Sequence, residues 1–409
     1  MDSLDKRIFA LAIPALGALV AEPLFLLTDT AMVGHLGADA LAALGLASTI
    51  AATVVGLLIF LAYATTPLVA RRLGSGDTPG AISAGIDGLW LAAGLGVVLG
   101  ILGYLTTPAV VGLFPASDAV AAGAASYLLV SWWGLPGMLL VIAAAGMLRG
   151  LQDTKTPLYI AVVGFGANAL LNALLIYGFN LGLVGSAWGT VAAQWAMAAV
   201  FLVLVTKKAS TVHVSLRPGL TGLTQAAKSG SWLLVRTLSL RIALVATVVV
   251  ATSLGTSELA AWHIIFTLFS LLALALDALA IAGQALIGHD LGAGNRAAVR
   301  ATTQRLIRWG FLSGGVLAAI TGMLSPLLPL VMTSETSIRE ALWPVLVLLG
   351  LTLPLSAFVF VLDGVLIGAG DGRYLALTGV LNLAMFAPFL WLASLVSTPG
   401  GEINLLGLM

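Results

Sequence analysis

Apolar residues run through this chain in stretches too long and unbroken for the alternation of a half-buried strand or the single stripe of a surface helix. Eleven of them reach the roughly 20 residues that a helix needs to cross about 30 Å of hydrocarbon. They cover approximately 8–33, 42–70, 82–106, 120–147, 157–177, 184–206, 228–251, 259–288, 303–330, 340–367 and 375–396. Breakers fall between them, among them Gly74-Ser75-Gly76-Asp77, Gly370-Asp371-Gly372 and Thr398-Pro399-Gly400-Gly401. The pattern predicts an all-α polytopic membrane protein.

The spans are not eleven independent inventions. Leu36-Gly37, Leu41-Ala42-Ala43, Leu73-Gly74, Gly76, Leu135-Pro136, Gly150 and Asp153 all return 218 positions later, without a gap. The later copies are Leu254-Gly255, Leu259-Ala260-Ala261, Leu291-Gly292, Gly294, Leu353-Pro354, Gly368 and Asp371. One unit therefore holds six spans, an even number, so both copies enter the membrane from the same side as parallel repeats. The expected organisation is an amino lobe at 1–206 with helices 1–6, a cytoplasmic linker at 207–227, and a carboxyl lobe at 228–409. That lobe would hold helices 7–11 and the start of a twelfth, because span six predicts a counterpart near 402–424 while the sequence stops at Met409. Residues 8–33 have their counterpart at 226–251, which makes the first span part of the fold instead of a cleaved signal.

Composition agrees: 60% hydrophobic and 9% charged residues leave too little polar surface to coat a water-soluble globule. The cations are arranged by side. Lys6, Arg7, Arg71, Arg72, Arg149, Lys155, Lys207, Lys208, Arg217, Lys228, Arg296, Arg300, Arg305, Arg308 and Arg373 all flank one face, 15 of the 18 in the chain. By the positive-inside rule this puts the amino terminus in the cytoplasm; the expected location is a cell membrane, the plasma (bacterial inner) membrane. Charge here encodes orientation and gives no nucleic-acid patch. The basic stretch Lys207 to Lys228 reads as a solvated linker. Zero cysteines exclude disulfides and thiolate metal sites. His35, His213, His263 and His289 lack metal-ligand spacing, and no nucleophile motif occurs, so an enzyme is not expected.

Charge inside the membrane needs a reason, since each instance costs roughly 2.5–3.5 kcal/mol at a helix centre. Glu22, Asp29, Asp87, Arg236, Arg241, Asp277 and Asp363 all fall within spans. Asp87, near a cytoplasmic end, is expected to reach water. Asp29, Asn172 and Thr190 share a depth roughly 6–9 Å below the outer helix ends. Asn168 precedes Asn172 by four residues on the same face, and Glu22 lies two turns before Asp29. A carboxylate among amide and hydroxyl oxygens suits a proton or a hard cation such as Na⁺; the plainer reading is a hydrogen-bonded glue between helices. Pro14 and Pro23 weaken the first helix, either as bending points or as static kinks. In the second half, Arg236 and Arg241 need acids, which Asp277 and Asp363 provide, as a static ion pair or a proton relay.

The stretches Leu27-Thr-Asp-Thr-Ala-Met-Val-Gly-His-Leu-Gly37, Leu73-Gly-Ser-Gly-Asp77 and Leu148-Arg-Gly-Leu-Gln-Asp-Thr-Lys155 resemble the multidrug and toxic compound extrusion (MATE) family. Ala275-Leu-Asp-Ala278, after an arginine-bearing seventh span, resembles its DinF-like branch. The resemblance implies a twelve-helix antiporter of two six-helix lobes working by alternating access. It would export organic, often cationic or amphipathic, compounds in exchange for H⁺ or Na⁺, without a cofactor and as a monomer. Carried over by position, the family's cation site falls on Asp29, Asn168, Asn172 and Thr190, with Pro14 as the bending proline. Two departures stand out: Asn172 takes the place of an acid found in many relatives, and the last helix is apparently missing from this chain. The rival reading is a lipid-linked saccharide or lipid flippase of related architecture.

Overall fold

The computed structural model describes residues 3–333 and 335–395. Its eleven long apolar helices are α1 (Ser3–Gly34), α2 (Ala38–Gly74), α3 (Thr78–Val111), α4 (Asp118–Gly150), α5 (Lys155–Gly178), α6 (Gly182–Thr211), α7 (Leu220–Ser253), α8 (Leu259–Gly292), α9 (Arg296–Leu324), α10 (Ile338–Ala369) and α11 (Gly372–Ser394). Each matches one expected span. The ninth is shorter than its apolar run: α9 ends at Leu324, and a separate short helix follows at Leu328–Met332. Pro326 explains the break, because the residue before a proline is pushed out of the helical region. The segment in which a twelfth helix was expected to begin lies outside the described residues. Large apolar side chains such as Leu105, Leu170 and Leu351 point outward, 69%, 75% and 72% exposed. In water such surfaces would aggregate; against acyl chains they are at home, while the helices satisfy their own backbone groups.

The chain falls into two compact units. One comprises Phe9–Gly230 with Gly288–Arg296, and the other Met1–Ile8, Ser231–Ile287 and Ala297–Met409. The 218-residue repeat is written into backbone and packing alike. Left-handed residues recur at that offset, Gly37 with Gly255, Gly76 with Gly294, and Gln152 with Gly370. So do helix crossings: Gly96 seats on Pro136 as Gly314 does on Pro354, and Gly146 seats on Ala62 as Gly364 does on Ala280. At the end of α2 the contact is reciprocal. A Cβ on Gly74 would lie 1.9 Å from the His289 carbonyl oxygen, and one on Gly292 would lie 1.9 Å from that of Arg71. Only glycine lets two helix backbones approach so closely.

Helix α1 runs unbroken through both of its prolines. From its second turn onward it is laced to α5 in parallel register. Ala10 accepts from Thr154, Gly17 packs on Leu158, Phe25 stacks on Phe165 at 5.1 Å, and the Met32 carbonyl accepts from the Tyr177 hydroxyl at 2.6 Å. Its first turn is held differently. Asp5, buried, accepts from the Trp309 indole at 2.9 Å and pairs with the Arg305 guanidinium at 3.2 Å. Those donors sit four residues apart on α9 and so share one face.

Asp87 does not reach water as expected. It is buried, and its Oδ1 accepts from the Gly219 amide at 2.7 Å, at the start of α7. Gly222 then presses against the other oxygen so closely that it has no room for a Cβ. Trp90 donates to the Leu216 carbonyl at 2.9 Å. A carboxylate fits a helix amino terminus because the first-turn amides have no partner within the helix. Residues 212–219 are thereby tied to α3.

Candidate functional site

The α1–α5 register brings Asp29 opposite Asn172. The Asn172 amide nitrogen donates to Asp29 Oδ1 at 2.8 Å, and the Ser186 hydroxyl of α6 donates to the same oxygen at 2.7 Å. Asp29 Oδ2 accepts no hydrogen bond among the described residues. Asn172 and Ser186 are fully buried, and Asp29 and Asn168 nearly so. Around the carboxylate stand oxygens left over from this bonding. Asn168 Oδ1, Asn172 Oδ1 and Thr190 Oγ1 are buried and have no hydrogen-bond partner. Polar atoms buried without partners are rare, because each gives up its water for nothing. Three of them gathered within about one helical turn make a nest of acceptor oxygens around a single negative charge.

Local structure holds this arrangement. Asn168 and Asn172 lie one turn apart on α5, which then opens into a π-helical turn at Leu174–Gly178, a feature frequent at functional sites. Gly189 of α6 faces the Asn172 amide, and a Cβ there would lie 2.0 Å from its oxygen. Gly189→Ala is therefore expected to rotate the Asn172 amide away from Asp29. Folding should suffer little, since a side-chain tip can yield, while a cation taken up by Asp29 would be held about tenfold more weakly. Isothermal titration beside a melting curve in detergent checks both halves of that expectation.

Two members of the cluster were not anticipated. Ser186 precedes Thr190 by four residues and shares its face, which is the signal that could have found it. Tyr127 of α4 is buried with its hydroxyl beside Ser131, Ser186 and Thr190. Glu22, by contrast, is exposed and makes no hydrogen bond or ion pair among the described residues. Pro14 lies inside α1, between the Asp5 contact and Asp29.

The second half does not repeat the cluster. The positions equivalent to Asp29 and Asn172 are Thr247, whose hydroxyl bonds its own helix, and Leu390. Its charge lies deeper: Arg236 of α7 pairs with Asp363 of α10 at 2.5 Å, the side chains 19% and 21% exposed. Asp277 is half-buried on α8 and has partners. Arg241 is exposed, with no ion pair or hydrogen bond among the described residues, so the expected four-residue network reduces here to one direct pair. Among the described residues no three His, Asp or Glu side chains gather as metal ligands.

The family model MatE matches residues 14–174 and 234–392, most of the chain and both repeats. The chain belongs to the MatE family. MatE proteins are multi-pass membrane transporters, not enzymes. Among relatives, Protein DETOXIFICATION 44, chloroplastic, of Arabidopsis thaliana is 30% identical over 93% of this chain and 75% of its own length. The DNA damage-inducible protein F of Escherichia coli is 28% identical over 90% and 82%. A MOP superfamily transporter from Pyrococcus furiosus superimposes with a TM-score of 0.89 at 23% identity, covering 100% of this chain and 92% of that one. An outward-facing multidrug resistance MATE transporter gives 0.88 at 24% identity, covering 100% and 91%. These likenesses establish the MatE fold.

Proposed function

We propose that this protein is a cation-coupled antiporter that exports organic, often cationic or amphipathic, compounds across a cell membrane, its amino terminus in the cytoplasm, working as a monomer. The observation that carries the reading is the single carboxylate of Asp29 in a nest of unpartnered oxygens. Oδ1 is already committed to two donors, so Oδ2 is the atom that takes the ion. A proton would bind there directly; Na⁺ would draw in Asn168, Asn172 and Thr190 as neutral oxygen ligands. The charge count limits stoichiometry. One carboxylate balances one monovalent cation, and a divalent ion would leave a net charge buried in the membrane.

Coupling requires only that ion and substrate prefer different conformations of the protein. Helix α1 suits the transmission, because it carries Asp29, lies along α5 for most of its length and contains Pro14 and Pro23 where its ladder is weakest. Relatives named for multidrug resistance support the substrate class, while a chloroplastic relative leaves the plasma membrane as the proposal for this chain.

Proteoliposomes given an inward H⁺ or Na⁺ gradient test the reading. We expect one of the two to drive efflux of rhodamine 6G, with one charge exchanged per cycle. Efflux indifferent to both gradients overturns it.

A further inference from the structure

Helix α9 carries one exposed row along most of its length. Arg300, Gln304, Arg308, Leu312, Val316 and Ile320 follow one another at intervals of four, and every one of them is exposed. The first half of the row is polar and cationic, the second aliphatic. Neither the arginines nor Gln304 make a side-chain hydrogen bond or ion pair among the described residues. Helix α9 itself contains no acid. The acid on the element beside it, Asp5, is already committed to Arg305 and Trp309 and leaves the charge of the row intact. Lys6, exposed and next to Asp5 in the chain, adds a further cation on that side.

Helix length fixes the level at which the row changes character. Helix α9 has 29 residues, about 43 Å of helix, against about 30 Å of hydrocarbon. Measured from Leu324, the border of the hydrocarbon falls near Gln304. The Cα of Arg308 therefore lies about 6 Å inside that border. Side chains on a helix lean towards its amino end, so the Arg308 guanidinium returns to the border over the turn of Gln304. A cation held there faces lipid headgroups, not open solution.

Crossing the membrane in this direction does not by itself call for these arginines. In the first half the equivalent places on α3, 218 residues earlier, are Ile82, Ile86 and Trp90. Both isoleucines are buried, and the tryptophan donates to the Leu216 carbonyl. The second half carries an open, cationic face in place of that closed one. Because the row continues as Leu312, Val316 and Ile320, what fits it is a molecule with an anionic head and an apolar tail lying along the helix.

We propose that this row binds an anionic phospholipid of the leaflet at the amino-terminal side of α9. Arg308 grips the phosphate through two parallel N–H bonds, with the Gln304 carboxamide beside it. Arg300, one turn beyond Gln304, supplies the second positive charge, and the acyl chains run along Leu312, Val316 and Ile320. The lipid is a resident ligand and not cargo, so the assignment is independent of ion coupling.

Native mass spectrometry of the full chain in detergent tests the site with three probes: dioleoylphosphatidylglycerol, dioleoylphosphatidylcholine and glycerol 1-phosphate. The two lipids share their tails and differ only in the head. The wild type should bind phosphatidylglycerol about thirtyfold more tightly than phosphatidylcholine, the usual contribution of two arginines at an anionic surface. Arg300→Gln/Arg308→Gln should bring the two lipids level. Gln304→Glu, which removes no cation, should weaken phosphatidylglycerol severalfold by repulsion. All three positions are exposed, so the melting temperature without lipid should hold. Lys207→Gln/Lys208→Gln removes as much charge from the same side and should change neither lipid. A wild type that does not tell the lipids apart overturns the proposal. So does a preference that survives the double arginine change or is lost equally in the lysine variant. Glycerol 1-phosphate binding as tightly as the lipid would make the tail dispensable and overturns it too.

Discussion

Asp29→Asn should abolish ion-driven transport while leaving the protein folded. The amide has almost the shape of the carboxylate, and its oxygen can still accept from Asn172 and Ser186, which now donate to Asp29 Oδ1. What disappears is the negative charge, and with it any reason for a cation to enter. Removing an unneutralised buried charge costs no stability and can add some. The melting temperature in detergent is therefore expected to hold or rise while gradient-driven dye efflux falls at least about a hundredfold. Retained efflux at equal protein level would remove Asp29 from the mechanism; a collapse in melting temperature would make it a structural residue.

Arg236→Ala should produce the largest loss of stability of any single change in the second half. It strands the Asp363 carboxylate, four-fifths buried, in a helix bundle without its counter-ion. Breaking a buried pair from one side typically costs about 3–5 kcal/mol, whereas replacing both partners by apolar residues is close to neutral. The double variant Arg236→Met/Asp363→Leu is accordingly expected to melt near the wild type, and Arg236→Ala well below it. Acid should relieve the single variant, because a protonated carboxyl needs no partner. A double variant that melts as low as the single one would show that the pair does more than neutralise itself.

Much of this was legible in the residues, and the limit has a physical form. Hydrocarbon thickness dictates helix length, so eleven spans could be counted from apolar runs alone, and only Pro326 shortened one of them. Depth follows from a rise of about 1.5 Å per residue, which is why Asp29 and Asn172 could be paired before their bond was seen. Rotation about the helix axis is harder to read. Arg236 and Arg241 lie five residues apart on one helix, yet one turns towards Asp363 and the other makes no ion pair or hydrogen bond among the described residues. Ser186 escaped notice because a lone serine in a membrane helix is commonplace, although its spacing from Thr190 placed it on the right face. Asp87 was misjudged for a related reason. Its place near a helix end suggested water, but the Gly219 amide of a segment far along the chain reached it first.

The reciprocal seating of Gly74 on His289 and Gly292 on Arg71 bears on ancestry. A half-length forebear with one such glycine could have dimerised through it, each copy supplying what the other required. Two identical copies would necessarily carry identical sites. A fused pair is free of that constraint, and the two halves do differ: Asp29 and Asn172 stand in one, while Thr247 and Leu390 hold the corresponding places in the other.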